Sequence, residues 1–478
     1  MGTQIEFGTD GWRAVIAADY TFDNVRLCTQ AVADYVLDSG MADRGMVIGY
    51  DTRFQSEYFA SAVAEVFAGN GIKAYLSDRP IPTPTTSFAI LTLKAAGGVI
   101  ITASHNPSIW NGFKYRPEYA GAASPEITEA VEERLAEIQA QDGEIKRLPL
   151  EEGIEQGIIV KIDAVKPYLE QVASLVDLEA IRQAELLVAV DAMYGAGIGY
   201  FPKLLSGGKT QVVEVNNVRN PLFPGMENPE PIDHNLKALK RAIAEHDADA
   251  GLGNDGDADR IGFMDENGVF INQLQVYALL LLYLLEVKEK RGPIVRTITS
   301  SVMADKLAAK YDLDVYETPV GFKYVGPKML EVDALMGGEE SGGFAFAGHL
   351  PERDGILAGL MLLELMVKLD KKPSELIDYL YEQVGPHYYD RWDIEFEPEN
   401  RQQVIQAIDD EHPDEIAGLK VVSEDRPDGA FRFHLEDGGW LLVRFSGTEP
   451  LIRIYTETTH KEKVEEILQS GKELAGLA

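Results

Sequence analysis

The ordering of apolar runs along this 478-residue chain predicts an α/β protein: three related mixed α/β sheet domains, then a smaller α+β domain. Two observations carry that expectation. A strand–helix–strand–helix–strand rhythm, the signature of parallel strands joined by helical crossovers, occurs three times, each time ending in a short strand and a polar loop. After about Pro386 it gives way to hairpin-spaced strands and a terminal helix. The expected domains are 1–160, 161–272, 273–386 and 387–478.

The first unit opens on Phe7-Gly8-Thr9-Asp10-Gly11-Trp12-Arg13, a glycine-punctuated loop with one arginine. Residues 46–51 read as a strand, and Phe59, Val63, Val66 and Phe67 recur at helical spacing. Gly69-Asn70-Gly71 stops that helix, 72–76 resumes as a strand, and Pro80, Pro82 and Pro84 precede a further helix. Residues 99–102 form a β-branched run that Asn106-Pro107 ends, because proline lacks an N–H and biases its predecessor away from helix. Ser104 is left on a tight loop at the end of a core strand, where an ordinary turn and a nucleophile are both at home.

The second unit runs through strand 186–191, a helix over 200–205, strand 211–215 and a proline-rich loop at 221–231. The third runs through strand 294–297, a helix over 302–311, strand 314–316 and Thr318-Pro319. Their polar loops are Asp255-Gly256-Asp257-Ala258-Asp259-Arg260 and Gly338-Glu339-Glu340-Ser341-Gly342-Gly343, each equivalent in position to the Ser104 loop. In the last domain, 393–396 reads as a strand, 401–408 as a helix, and 431–435 and 440–445 flank the turn Asp437-Gly438-Gly439. Strand 451–457 and helix 461–474 complete it.

Lysine and arginine number 44 against 78 acidic residues, a net charge of −34 that argues against nucleic acid or anionic membrane as partner. A small anionic substrate needs only a local positive cluster. A single cysteine, Cys28, excludes an intrachain disulfide and suits a reducing compartment. The apolar run 276–285 is too short to span a bilayer and is expected as a buried helix. With no signal segment in view, the cytoplasm is the expected location.

Three carboxylates at alternate positions repel one another unless a hard cation sits among them, so Asp255, Asp257 and Asp259 suggest magnesium or calcium. An EF-hand is rejected: Arg260 stands where that loop needs glycine, and 261–265 with 269–271 read as a hairpin around Asn267-Gly268. Arg444-Phe445-Ser446-Gly447-Thr448-Glu449-Pro450 with Arg453 reads as an anion cradle, its hydroxyls and forked donors flanking a glycine that lets backbone N–H groups approach. Glu339 and Ser341 suit vicinal hydroxyls, and turn residues fit there too. Lys114 could return to Ser104 as a proton donor or acceptor, or lie on the surface.

Jointly, these loops resemble the α-D-phosphohexomutase family over nearly the whole chain. Thr102-Ala103-Ser104-His105-Asn106-Pro107 is similar to its phosphoserine loop, 255–260 to its magnesium loop, 338–342 to its sugar-binding loop and 444–450 to its phosphate-binding loop. The resemblance implies a heart-shaped protein of four domains around a central cleft. It implies that Ser104 is phosphorylated and, with Asp255, Asp257 and Asp259, holds Mg2+. Arg13, His105, Lys114 and Arg260 would surround the reacting phosphate. Gly321, Lys323, Glu339, Ser341 and Arg353 would meet the sugar, and Arg444, Ser446, Gly447, Thr448 and Arg453 would grip the phosphate that is not transferred.

Some members carry a histidine where Gly343 stands and others a lysine where Arg353 stands. Arginine scarcely deprotonates, which makes Lys114 the stronger candidate for the second acid/base group. The implied reaction interconverts glucose 1-phosphate and glucose 6-phosphate, with glucose 1,6-bisphosphate as intermediate and activator, in a monomer or homodimer. Mannose phosphates are possible further substrates. Phosphomannomutase and phosphoglucosamine mutase are the alternatives within the family; a phosphatase or a sugar-phosphate sensor are alternatives outside it.

Overall fold

Backbone polar groups of the buried apolar runs are paired in four β-sheets, one for each predicted unit. The computed structural model describes residues 5–8, 10–141, 143–396, 398–445 and 451–477. The first sheet has the order Trp12–Val15, Trp110–Pro117, Gly97–Ile101, Met46–Tyr50, Ala74–Ser77, Ile159–Ile162, so its outermost strand extends past residue 160. The second has the order Phe270–Ile271, Ile261–Met264, Ala250–Asn254, Leu187–Asp191, Gln211–Val215. The third has the order Val315–Thr318, Ile294–Thr297, Met336–Gly338, Phe344–Phe346.

These sheets share one plan. The first parallel strand of each unit, Met46–Tyr50, Leu187–Asp191 or Ile294–Thr297, lies between the second and third, parallel to both, and an antiparallel strand returns beside the third. The three polar loops are the connections between the third strand and its antiparallel neighbour. The repeat read from strand rhythm therefore corresponds to a repeated topology. In the second unit the returning strand turns back through the expected hairpin, with Met264 opposite Phe270.

Trp110–Pro117 has no apolar run and goes unrecognised in the sequence, although it is buried over most of its length. Phe113 and Tyr115 pack into the first core, while the alternate Lys114 and Arg116 are buried in an ion cluster on the other face. The expected helix at 276–285 is Gln273–Leu282 followed by a wider π turn, Tyr283–Val287. With Gly355–Leu369 it is buried in the largest core cluster, between the second and third units. Among the described residues no helix is long and apolar enough to cross a membrane.

The fourth sheet is antiparallel, in the order Tyr388–Glu395, Leu451–Thr458, Trp440–Phe445, Phe431–Leu435, Leu419–Asp425, Glu415–Ile416. It docks on the third unit through Ile298, which packs with Ala430, Trp440, Leu442 and Tyr455. Beside that contact the buried Glu457 carboxylate accepts from Ser301 Oγ and, at 2.8 Å, from the Val302 amide.

Candidate active site

Ser104 has φ 52°, a left-handed conformation that costs a non-glycine residue about 1–2 kcal/mol. Its surroundings hold it there. Ser104 N–H donates to Thr102 Oγ1 at 2.8 Å. The buried Arg53 guanidinium donates to the carbonyl oxygens of Ser104 at 2.7 Å, Asn106 at 2.5 Å, Pro107 at 2.9 Å and Trp110 at 3.0 Å. One buried arginine thereby satisfies four carbonyls of this loop, and Asp51 balances its charge at 3.3 Å.

The Ser104 and Asp255 loops meet across 151 sequence positions, where Ser104 Oγ donates to Asp255 Oδ2 at 2.8 Å. A Cβ on Gly256 would lie 2.5 Å from the Ser104 carbonyl oxygen, so this approach needs glycine. Carboxylate oxygens of Asp255, Asp257 and Asp259 lie within 4.8 Å of one another, all buried. Burial, reinforced by repulsion from Asp259 and Asp257, pushes the Asp255 carboxyl well up. Asp257 Oδ1 and Asp259 Oδ1 are buried without a hydrogen-bond partner. A buried set of carboxylate oxygens with open valences, beside a serine hydroxyl, fits an octahedral hard cation such as magnesium.

Lys114 is buried, its Nζ 2.8 Å from Asp10 Oδ2, 2.8 Å from Asp257 Oδ2 and 3.4 Å from Asp259 Oδ2. Burial alone would lower its pKa, but the three carboxylates outweigh burial and raise it, so the side chain is an ammonium. His105 Nδ1 lies 3.2 Å from Ser104 Oγ. Burial, together with the positive charge of Arg260, Arg13, Lys114 and Arg353, drives its pKa well down, which leaves a neutral imidazole. Arg13 donates to Asn106 Oδ1 at 2.6 Å. The Arg260 amide donates to Asp255 Oδ1 at 3.1 Å, while its guanidinium pairs with Glu230 at 3.0 Å.

The sugar-type loop joins this cluster through backbone and charge. Arg260 and Gly343 form an antiparallel bridge, and Ile261 N–H donates to the Gly342 carbonyl at 3.0 Å. Glu339 Oε1 accepts from the Gly321 amide at 2.8 Å. Arg353 Nη2 lies 2.6 Å from Asp10 Oδ2 and 2.9 Å from Asp259 Oδ2, and its Nε lies 3.1 Å from Glu352 Oε1. Ser341 is half-buried on the loop, and Lys323 stands in the first turn of helix Phe322–Val332 with its ammonium 5.4 Å from the Tyr324 ring centre.

Arg444 lies directly opposite Arg453 on adjacent antiparallel strands. Like charges in that register repel unless an anion or acid lies near. Asp393 supplies one acid, with Oδ2 3.3 Å from Arg453 Nε. Asp393 Oδ1 also lies 2.9 Å from Arg391 Nε, and Arg391 Nη1 reaches Glu340 Oε1 at 3.1 Å, which ties this sheet to the sugar-type loop. Tyr389 OH donates to the same Glu340 oxygen at 2.7 Å. Ser446, Gly447 and Thr448 lie outside the described residues.

Sequence reasoning missed Asp10, Arg53, Arg116 and Glu352. Arg116 Nη1 lies 2.8 Å from Asp10 Oδ1 and its Nε 2.7 Å from Glu352 Oε2. Asp10 was findable as the single acid of a glycine-flanked loop, since a Cβ on Gly11 would lie 2.4 Å from the Phe113 carbonyl oxygen and so mark a forced close approach.

Four phosphoglucomutase/phosphomannomutase family models match consecutive segments: alpha/beta/alpha domain I over 4–142, domain II over 166–268, domain III over 272–384 and the C-terminal domain over 401–471. The chain belongs to the phosphoglucomutase/phosphomannomutase family. It is an enzyme of phosphoryl transfer within a sugar phosphate. It is 34% identical to a phosphoglucomutase/phosphomannomutase of Thermococcus kodakarensis over 98% of each chain. It is 31% identical to a phosphoglucosamine mutase of Carboxydothermus hydrogenoformans over 97% of each chain. Among solved structures, one from Thermus thermophilus, assigned as a phosphomannomutase, superposes over 100% of both chains with a TM-score of 0.85 at 33% identity.

Proposed function

We propose that this phosphohexomutase interconverts glucose 1-phosphate and glucose 6-phosphate through phosphorylated Ser104 and glucose 1,6-bisphosphate, and that it also accepts mannose phosphates. The observation that carries the reading is the 2.8 Å contact between the Ser104 hydroxyl and the Asp255 carboxylate of a buried acidic triad. A covalent carrier is thereby held next to a divalent-cation site, as phosphoryl transfer requires. The family is magnesium-dependent. When bound by Asp255, Asp257 and Asp259 beside Ser104, the ion neutralises charge on the transferring phosphate.

The chain's own groups supply the rest. Neutral His105, 3.2 Å from Ser104 Oγ, accepts the seryl proton when phosphate returns to the serine. Lys114, held as an ammonium, donates a proton to the oxygen that leaves phosphorus. Arg13 and Arg260 offset phosphate charge, and Glu339, Ser341, Gly321, Lys323 and Arg353 bind and orient the sugar. Arg444 and Arg453, with Ser446, Gly447 and Thr448, hold whichever phosphate is not being transferred, releasing one and taking up the other when the bisphosphate reverses its ends. That second anion site is superfluous for a phosphatase.

The glucose preference rests on Gly321-Phe322-Lys323-Tyr324 and Glu339-Glu340-Ser341, which resemble the glucose-type branch. The test is a side-by-side turnover assay of the 1-phosphates of glucose, mannose, glucosamine and N-acetylglucosamine, with magnesium and a trace of the matching bisphosphate. Glucose 1-phosphate is expected to show the highest kcat/KM, with mannose 1-phosphate second. A higher value for either amino sugar overturns the glucose assignment, and release of inorganic phosphate without 6-phosphate overturns the mutase reading.

A further inference from the structure

Gly343 has a backbone that any residue adopts, unlike its neighbour Gly342 at φ 88°. The nearest obstacle to a side chain at 343 is one neighbour. A Cβ there would lie 2.2 Å from Arg353 Cδ, 2.7 Å from Cγ and 3.4 Å from Cβ, and no other atom ranks among its three nearest. The missing Cβ is therefore the seat of the Arg353 stem. From that seat the guanidinium reaches acids of three units: Asp10 of the first, Asp259 of the second and Glu352 of the third. Its plane also lies over the Phe322 ring, 5.2 Å from the centre, and the whole side chain is buried.

We infer that Gly343 and Arg353 act as one positioning unit, in which the empty volume at 343 aims the arginine between Asp10 and Asp259 and so fixes the acidic loop against the Lys114 strand. Asp10 is the shared hinge of this arrangement, being in contact with Lys114, Arg116 and Arg353 together. Position 343 is thus conditional on position 353: the three nearest obstacles to a Cβ there all belong to the arginine stem, so an alanine is expected to be tolerated once the stem is gone. The catalytic consequence rests on the mutase reading; the steric coupling does not.

The experiment is a double-mutant cycle on the full chain with Gly343→Ala, Arg353→Ala and the pair, read both as kcat/KM with glucose 1-phosphate and as the apparent Tm without substrate. Gly343→Ala is expected to lower kcat/KM by about 100-fold in the parent, as misplacement of a reacting group by an ångström does. In the Arg353→Ala background it is expected to change kcat/KM by less than about 3-fold. The Tm follows the same pattern, falling by about 5 °C in the parent and hardly at all in that background. Parental activity in Gly343→Ala, or an equal loss in both backgrounds, overturns the inference. Should the enzyme show no mutase turnover, the Tm cycle alone decides: coupling supports the unit, and equal falls refute it. If Arg353→Ala does not fold, Arg353→Ser takes its place, since it also lacks the stem and leaves a hydroxyl for the exposed carboxylates.

Discussion

Removal of the Lys114 ammonium has direct structural consequences, because three buried carboxylates face it. Lys114→Met keeps the length of the stem and deletes the ammonium that faces Asp10, Asp257 and Asp259. Asp10 keeps Arg116 and Arg353, and Asp259 keeps Arg353, but Asp257 keeps no cation within ion-pair distance among the described residues, only Thr83 Oγ1, which donates to its Oδ2 at 2.6 Å, and the neighbouring Asp255 carboxyl. Removing one partner of a buried ion pair costs about 3–5 kcal/mol, and the surviving arginines place this case near 3 kcal/mol. For a unit of this size each kcal/mol moves the Tm by about 2–4 °C, so a fall of about 6–12 °C is expected. Magnesium should restore more of the Tm in the variant than it adds to the parent, because the ion supplies charge the variant lacks. Loss of the proposed proton donor should also lower kcat by about 100-fold or more. Thermal melts with and without magnesium, and steady-state turnover, check both parts. A variant that melts within about 1 °C of the parent and keeps kcat within about 3-fold refutes the placement of a buried ammonium at the reacting centre.

Ser104→Ala removes the proposed carrier and should lower mutase flux by several orders of magnitude with the Tm little changed; parental flux in a coupled assay excludes Ser104 as the carrier. Arg444→Ala should weaken binding of either glucose phosphate, seen as a raised KM, by loss of charge-assisted hydrogen bonds; an unchanged KM moves the distal phosphate elsewhere. Burial raises the Glu457 pKa to about 7 against the ordinary 4.5, so the folded state binds the proton more tightly. Its contribution to stability is full below about pH 4.5 and is lost as pH rises through about 7, by about 3 kcal/mol. Glu457→Gln should therefore flatten the decline in unfolding free energy between pH 5 and pH 8, and an unaltered slope in denaturant titrations refutes the assignment.

What could be read from residues alone followed the physics of each element. Strands such as Gly97–Ile101 and Leu187–Asp191 are buried on both faces and announce themselves as apolar runs. Trp110–Pro117 escaped because one of its faces is an ion cluster, where Lys114 and Arg116 read as surface residues until Asp10, Asp257 and Glu352 are seen around them. The same blindness hid Arg53: nothing in its neighbourhood says that its guanidinium serves four distant carbonyls. Short-range carboxylate spacing, by contrast, is a local fact, and the aspartate triad was legible at once. Gly343 was visible only as a departure from those family members that carry a histidine there, because its meaning lies ten residues away in the stem of Arg353.

Each of the three polar loops spans a parallel strand and the antiparallel strand beside it, so both ends are sewn into the same ladder. A loop held in that way has little freedom relative to its own sheet, and the groups it carries are rigid passengers. The contacts that assemble the site, Ser104 with Asp255, Lys114 with Asp257, and Arg260 with Gly343, all cross from one unit to another. The site is accordingly a joint between units that each close their own sheet but share one core. Solvent conditions that loosen the docking of units while leaving each sheet intact should silence the enzyme before its helical signal changes, and activity should return at the rate at which the units find one another.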